Sequence, residues 1–401
     1  MIAFVLGTAC DRTAHEHPAP TLSSVPANAP VGSAPLTDAG AAGTMTLPDP
    51  RHAFGVADAN GDGVDDVLAV THFVTSDDSE RRLVAFDGKT RGVLWRSAPL
   101  RPWGAMPSRA RVMVLVGGSN VALTTGWTNA DFYELKSGAR KTSLALEGIP
   151  GVRSCPDPKA AGRYYLELTA GGSSSYQRAG GALLDVAAAK VERAQAPDFC
   201  PSNWVPEHHE LGECYFRHDS ETARAKCAPL TAAPTAIPGF KPAYVVTDPD
   251  ASIVVGNATG TPADTGHIMI VRFEPTKKEV QWTRAIAEIP HAEPNAKEVR
   301  STRQVDVTSA GVLILIDVNK GYSPVAQRLI MLDTKTGAIR YEHAITAGVV
   351  AGPRVVGSRL YLPKTAPRED GPWYDPKGQL DVLDANTGAP LFSVGGGETF
   401  Q

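Results

Sequence analysis

The sequence has no surplus of basic charge: 39 Lys and Arg stand against 43 Asp and Glu, for a formal charge of −4. A phosphate backbone is held by clustered cations, so nucleic acid is not an expected partner. No apolar run reaches the length that a bilayer-spanning helix needs. Gly-x-Ser-x-Gly, His-Glu-x-x-His and Cys-x-x-Cys-His are all missing, which removes the commonest hydrolase, metallopeptidase and haem-attachment patterns. The glycine-rich pieces Gly171-Gly172-Ser173 and Gly395-Gly396-Gly397 are flanked as loops are, and Asp248 and Asp250 flank Pro249 as in a turn. Long helices are excluded as well, because 38 Gly and 32 Pro punctuate the chain. The 42% of apolar residues still suffices for a core.

What the chain has instead is a recurring hairpin. Leu329-Ile330-Met331-Leu332 enters a polar corner, Asp333-Thr334-Lys335-Thr336-Gly337, and leaves through Ala338-Ile339-Arg340-Tyr341. Asp333 and Thr336 can hydrogen-bond nearby backbone groups, and Gly337 can take the left-handed conformation that a β-branched residue resists. Clear copies run from Leu83 to Trp95 around Asp87 and from Leu380 to Gly388 around Asp384. Weaker ones centre on Lys136, Val186 and Glu274. The corners recur about every 50 residues, apart from one interval of 88 between Val186 and Glu274. Within that interval, Tyr215 to Arg224 is a doubtful further copy.

Strand-like runs precede the hairpins, such as Val112–Val116, Val312–Ile316 and Arg359–Leu362. Two such strands plus a hairpin make a four-stranded blade, so the period predicts an all-β fold. The stretch Val355-Val356-Gly357-Ser358-Arg359-Leu360-Tyr361-Leu362, followed by Gln379 to Gly388, resembles the repeat of pyrroloquinoline-quinone-like propellers. The resemblance implies a β-propeller of about seven four-stranded blades, or six. It does not imply the quinone, since the same repeat builds propellers that only bind protein, such as outer-membrane assembly scaffolds. The competing architecture is a two-sheet β-sandwich. Trp95, Trp282 and Tyr341 occupy equivalent hairpin positions and are read as core or packing between blades.

One motif carries chemistry. Asp58-Ala59-Asn60-Gly61-Asp62-Gly63-Val64-Asp65-Asp66 offers side-chain oxygens from Asp58, Asn60, Asp62 and Asp66 and a backbone carbonyl from Val64. Gly63 permits the sharp turn that wraps a cation. Hard oxygen donors in this number suit Ca²⁺ better than Mg²⁺. An EF-hand would need a glutamate where Ala69 stands and a helix where Val67–Thr71 reads as a strand. With the upstream Phe54-Gly55, the segment resembles the FG-GAP calcium loop of integrin-like propellers, which implies a structural Ca²⁺ pinning one blade. The alternative is an Asx-rich turn that needs no ion.

The N-terminus, Met1 to Cys10, is apolar, closes on small residues and a cysteine, and is too short to span a bilayer. It resembles the end of a bacterial lipoprotein signal peptide, which implies residues 1–9 as a signal remnant and lipidation at Cys10. No Lys or Arg precedes the apolar run, so the true start is expected upstream. Residues 10–48 are rich in Ala, Pro and Ser and are expected to form a disordered tether, with the propeller spanning residues 49–401. The other cysteines, Cys155, Cys200, Cys214 and Cys227, form an even set in a chain that reads as exported, which favours disulfides. Three connectivities are open, and Cys155 with Cys200 and Cys214 with Cys227 is preferred. A soft-metal site from His208, His209, Cys214 and His218 matches no zinc spacing.

These readings converge on a non-enzymatic, calcium-stabilised propeller lipoprotein of the bacterial cell envelope. It is expected to be a monomer, lipid-anchored and either periplasmic or surface-facing, that binds a protein or glycan. The alternatives are a quinone-dependent dehydrogenase or a polysaccharide-acting enzyme on the same scaffold. Against the dehydrogenase, the chain has no vicinal cysteine pair, so pyrroloquinoline quinone is not expected.

Overall fold

The run Val312-Leu313-Ile314-Leu315-Ile316 shows how this sequence builds its core. All five side chains are buried, yet successive residues of a strand point to opposite faces. Val312, Ile314 and Ile316 join a cluster with Ile253, Ile270 and Trp282 on one side. Leu313 and Leu315 join Leu360, Leu362 and Val350 on the other. A strand apolar on both faces must lie in a sheet covered on both faces. The computed structural model shows that arrangement repeatedly. It describes residues 43–47, 54–74, 79–100, 112–125, 128–157, 159–169, 178–195, 240–247, 252–258, 266–274, 277, 279–289, 298–320, 323–345, 349–350, 352–365, 378–395 and 398–400. All lie in the unit Pro35–Gln401, and none is helical.

Six antiparallel sheets are described. The first contains β1 (Gly43–Thr46), β2 (Phe54–Ala57), β3 (Asp66–Val74), β4 (Ser79–Phe86) and β5 (Val93–Arg96). The second is β6 (Val112–Gly117), β7 (Asn120–Thr125), β8 (Asn129–Glu134) and β9 (Arg140–Ala145). The third is β10 (Ile149–Pro156), β11 (Arg163–Thr169), β12 (Arg178–Asp185) and β13 (Lys190–Arg193). The fourth is β14 (Phe240–Thr247), β15 (Ser252–Ala258), β16 (Gly266–Glu274) and β17 (Glu279–Ile289). The fifth is β18 (Glu298–Thr308), β19 (Gly311–Lys320), β20 (Ser323–Leu332) and β21 (Ile339–Ile345). The sixth is β22 (Val349–Val350), β23 (Arg354–Val356), β24 (Arg359–Thr365), β25 (Gln379–Asp384) and β26 (Pro390–Gly395).

Within the second to fifth sheets the spatial order is the chain order, a plain meander. In the first and sixth the innermost strand is split. β1 and β2 pair with opposite ends of β3, and β22 and β23 with opposite ends of β24. The last strand, β27 (Glu398–Phe400), leaves the sixth sheet and pairs with β1, Gly43 facing Phe400. Buried clusters join the first sheet to the second, the second to the third, the fourth to the fifth, the fifth to the sixth, and the sixth back to the first. Four-stranded sheets that pack in succession and close first against last form a β-propeller, as the repeat predicts.

The expected corner chemistry is present. Asp333 Oδ1 accepts from the backbone N–H of Lys335 at 3.0 Å and of Thr336 at 2.9 Å, and Gly337 has φ of 66°. Asp384 and Asp87 cap their corners in the same way. The domain begins earlier than the expected boundary at residue 49, because β1 starts at Gly43. Gly43-Thr44-Met45-Thr46 has one large apolar residue, and its strand is defined by ladders to β3 and β27 on either side. The doubtful hairpin at Tyr215–Arg224 lies outside the described residues, as do Cys10, Cys200, Cys214 and Cys227. Cys155 is in β10, its backbone opposite Tyr165.

Candidate metal loop

The acidic segment connects β2 to β3, on the first sheet beside its junction with the sixth. Gly61 and Gly63 have φ of 80° and 82°, and a Cβ at either would meet no atom within 4 Å. Glycine is therefore required there for its backbone freedom and not for space. Asp58 gathers the turn: its Oδ1 accepts from the N–H of Gly61 at 2.7 Å and of Asp62 at 3.1 Å, and its Oδ2 from Gly63 at 2.8 Å. Asn60 Oδ1 accepts from Asp62 N–H, and Asp62 Oδ1 from Val64 N–H, each at 2.9 Å. The segment is thus a nest of Asx interactions, with Asn60 and Asp62 exposed.

Asp66 behaves differently. It is fully buried, with Oδ2 accepting from Ala59 N–H and Oδ1 from Gly88 N–H, both at 2.8 Å. Burial raises its carboxyl above the usual range, backbone hydrogen bonds oppose that, and the nearby Asp87 charge adds to it. Asp87 itself is held low, first by the Thr90 N–H and then by that of Lys89. Asn60 Nδ2 reaches toward Asp87 Oδ2 at 3.4 Å, so the hairpin corner at Asp87 and Gly88 forms one wall of the loop.

The donor chemistry fits a hard cation. Asp58, Asn60, Asp62 and Asp66 offer only oxygen, and each retains lone pairs beyond the N–H groups it accepts. Among the described residues, no three His, Cys, Asp or Glu side chains gather closely enough to hold an ion as they stand. Seating one would therefore need the loop's side chains to shift from the positions they hold.

The loop is also tied to the sixth sheet. Arg359, the first residue of β24, donates from Nη1 to Asp65 O at 2.6 Å and from Nη2 to Gly88 O at 2.8 Å. Gly88 must be glycine for space, since a Cβ would lie 2.0 Å from Asp65 O and 2.4 Å from Arg359 Nη1. Beside it, the Arg354 guanidinium sits 3.8 Å above the Phe54 ring and donates to Phe54 O at 2.7 Å. Phe54 in turn packs on Tyr361, ring centroids 5.9 Å apart.

The Gly88 carbonyl follows one residue after a corner acid, and the same position is used at the other described junctions, where the structure puts the acids of the second and third corners at Glu134 and Asp185, just ahead of Lys136 and Val186. Trp95 Nε1 donates to Leu135 O at 2.9 Å, Trp282 Nε1 to Thr334 O at 3.0 Å, and Tyr341 Oη to Ala385 O at 3.0 Å. In each case the aromatic ring also lies on the glycine that ends the corner, Gly138, Gly337 or Gly388. Where the third sheet meets the second, the outer strand of the second has Thr142 in place of the aromatic, and Asn120 Nδ2 donates to Val186 O at 3.1 Å instead. At the closure the outer strand carries Phe392, which has no donor, and Arg359 takes the role. Asn120 and Arg359 are equivalent, each the first residue of its sheet's second strand. The packing role expected of Trp95, Trp282 and Tyr341 is what the structure shows, whereas Arg359 and Arg354 were not singled out by sequence. The signal was the parallel between Gly118-Ser119-Asn120 and Gly357-Ser358-Arg359.

Fold and loop together define a β-propeller with one acidic loop on its closure junction. No protein-family profile and no curated protein sequence matches the chain. Solved structures similar to it include BamB from Moraxella catarrhalis, at 12% identity over 85% of this chain and 76% of that one, with a TM-score of 0.24. The Cps50 (Swd1) propeller domain of Myceliophteria thermophila is 13% identical over 88% and 89%, with a TM-score of 0.30. The quinohemoprotein alcohol dehydrogenase ADHIIG of Pseudomonas putida HK5 is 10% identical over 90% and 70%, with a TM-score of 0.31. At these identities and scores the likenesses carry no argument about activity.

Proposed function

We propose that this chain is a non-enzymatic binding propeller of the bacterial cell envelope, braced by one Ca²⁺ at the Asp58–Asp66 loop. The observation that carries the metal reading is the oxygen-only donor set of that loop, closed by the buried carboxylate of Asp66. Asp58, Asn60, Asp62, Asp66 and the Val64 carbonyl would hold the ion. When bound, the cation would supply positive charge where burial and Asp87 disfavour the ionised form of Asp66. Envelope attachment through Cys10 is supported by the lipoprotein-like sequence ahead of it. A protein or glycan partner is the class that a propeller with no recognised catalytic motif would serve through its loops.

The test of the metal reading is calorimetric. An ion that binds only the folded state stabilises it by about 2.7 kcal/mol at a free concentration about a hundredfold above its dissociation constant. Chelation is expected to lower the melting temperature and Ca²⁺ to restore it. Asp62→Ala is expected to abolish that response and leave the fold intact, because the sixth sheet holds the loop through the Asp65 carbonyl and not through the Asp62 side chain, which bonds only within the loop. Equal melting of wild type and Asp62→Ala, with Ca²⁺ and with chelator, would leave the segment as a turn alone.

A further inference from the structure

We infer that Arg359 couples cation occupancy of the Asp58–Asp66 loop to closure of the propeller ring, so that the ion latches the sixth sheet onto the first. The inference rests on the calcium reading above and adds to it a second partner, the ring junction. Its basis is that one guanidinium holds two carbonyls belonging to different parts of the first sheet. Nη1 takes Asp65 O, within the loop, and Nη2 takes Gly88 O, on the hairpin corner. The corner is already fastened to the loop from the other side, through Gly88 N–H on Asp66 Oδ1 and Asn60 Nδ2 near Asp87 Oδ2. A closed circuit results: loop, corner, Arg359 and loop again, with Arg359 rooted in β24.

The other described junctions lack this circuit. Trp95, Trp282, Tyr341 and Asn120 each donate to the hairpin corner of the next sheet. Arginine is suited to the closure because its planar fork presents two donors in fixed geometry, which lysine cannot do. When the ring is closed, the fork fixes the Asp65 peptide, next to the ligand Asp66 and one residue from the Val64 carbonyl. Less ordering is then left for the cation to impose, and binding to a preorganised loop is tighter. Linkage makes the effect mutual, so the ion must favour closure by the same factor. The positive charge of Arg359 opposes this, but the acids around the loop, Asp58, Asp62, Asp65, Asp66 and Asp87, outnumber it.

The experiment measures Ca²⁺ binding by titration calorimetry and amide exchange by mass spectrometry on the full chain. In wild type, Ca²⁺ is expected to slow exchange in β1, β27 and β24 as well as in the loop. Arg359→Met and Arg359→Lys are each expected to weaken Ca²⁺ binding by about fivefold or more, the lower end of ordinary coupling between sites. Trp282→Phe, which removes a donor at a distant junction, is expected to lower the melting temperature and leave Ca²⁺ affinity unchanged. Lysine keeps the charge and loses the fork, so it carries the test where methionine does not fold, and the wild-type exchange data stand apart from both variants. The coupling is overturned, with the calcium reading intact, if Ca²⁺ raises the melting temperature but slows exchange only within the loop. Unchanged or tighter binding in Arg359→Met, or an equal loss in Trp282→Phe, overturns it too. A wild type that gives neither heat nor a melting shift with Ca²⁺ removes the calcium reading, and the coupling with it.

Discussion

The junction between the fourth and fifth sheets and the one that closes the ring solve the same problem with different parts. At the first, the Trp282 indole lies on Gly337 and donates to Thr334 O, and two arginines reinforce it: Arg272 reaches the same carbonyl at 2.7 Å and Arg284 reaches Gly337 O at 2.8 Å. At the closure, Phe392 supplies no donor, Arg359 reaches Gly88 O, and backbone pairing of β1 with β27 is added. The glycine that receives the aromatic elsewhere is replaced there by Arg91, at φ of 68°. The carbonyl after the corner acid is therefore the fixed element, and its donor is whichever neighbouring strand can provide one. A junction made between chain-distant sheets gains from a donor that holds two acceptors, since a single hydrogen bond contributes only about 1 kcal/mol net.

The largest expected effect is on the closure core. Tyr361 is fully buried among Phe54, Leu380 and Val382, and Tyr361→Ala is expected to cost about 3–5 kcal/mol in urea unfolding, as ring deletions in packed cores do. A loss below about 1 kcal/mol would mean that this junction is not tightly packed. Next comes the glycine contact. At Gly337 a Cβ would lie 2.6 Å from the Trp282 ring and φ is positive, so Gly337→Ala is expected to cost about 2–3 kcal/mol. A neutral Gly337→Ala would break the comparison, because it would show that aromatic stacking on the corner glycine does not matter.

Trp282→Phe should cost less, about 1 kcal/mol, because Arg272 still pairs the Thr334 carbonyl. The smallest effect concerns acid. Asp333 is held well below the carboxylate range, first by Arg340 and then by Thr336, and Asp384 is held low chiefly by the Thr387 hydroxyl. A carboxylate whose folded pKa is lowered adds stability above its unfolded pKa and loses it as pH falls toward the folded value. Asp66, raised by burial, has the opposite sign and regains stability as pH falls. The urea midpoint should therefore decline from about pH 5 downward, and Asp333→Asn should flatten that decline. An unchanged slope in Asp333→Asn would mean that the corner acids are not the source.

Much of this was legible in the sequence because it is local. Asp333, Thr336 and Gly337 form a turn within five residues, and Asp58, Asn60 and Asp62 bind the backbone of their own loop. What was not legible crosses the chain. Arg359 and its acceptors Asp65 and Gly88 are separated by 294 and 271 positions, and an arginine opening a strand reads like any other surface residue. β1 escaped for a related reason: Thr44 and Met45 are ordinary residues, made into a strand by partners at Phe73, Val74, Glu398 and Thr399.

The pairing of Gly43 with Phe400 also sets a schedule for synthesis. On the ribosome the first sheet is complete except for one edge, and that edge has no partner until residue 400 has emerged. Until β27 is made, β1 thus presents unpaired N–H and C=O groups, a template that a neighbouring nascent chain can meet first. Ring closure therefore waits for the β27 segment, and exchange of that segment between two copies is the failure it is most exposed to. The shortness of both strands, four and three residues, limits that hazard by giving a wrong partner little to hold.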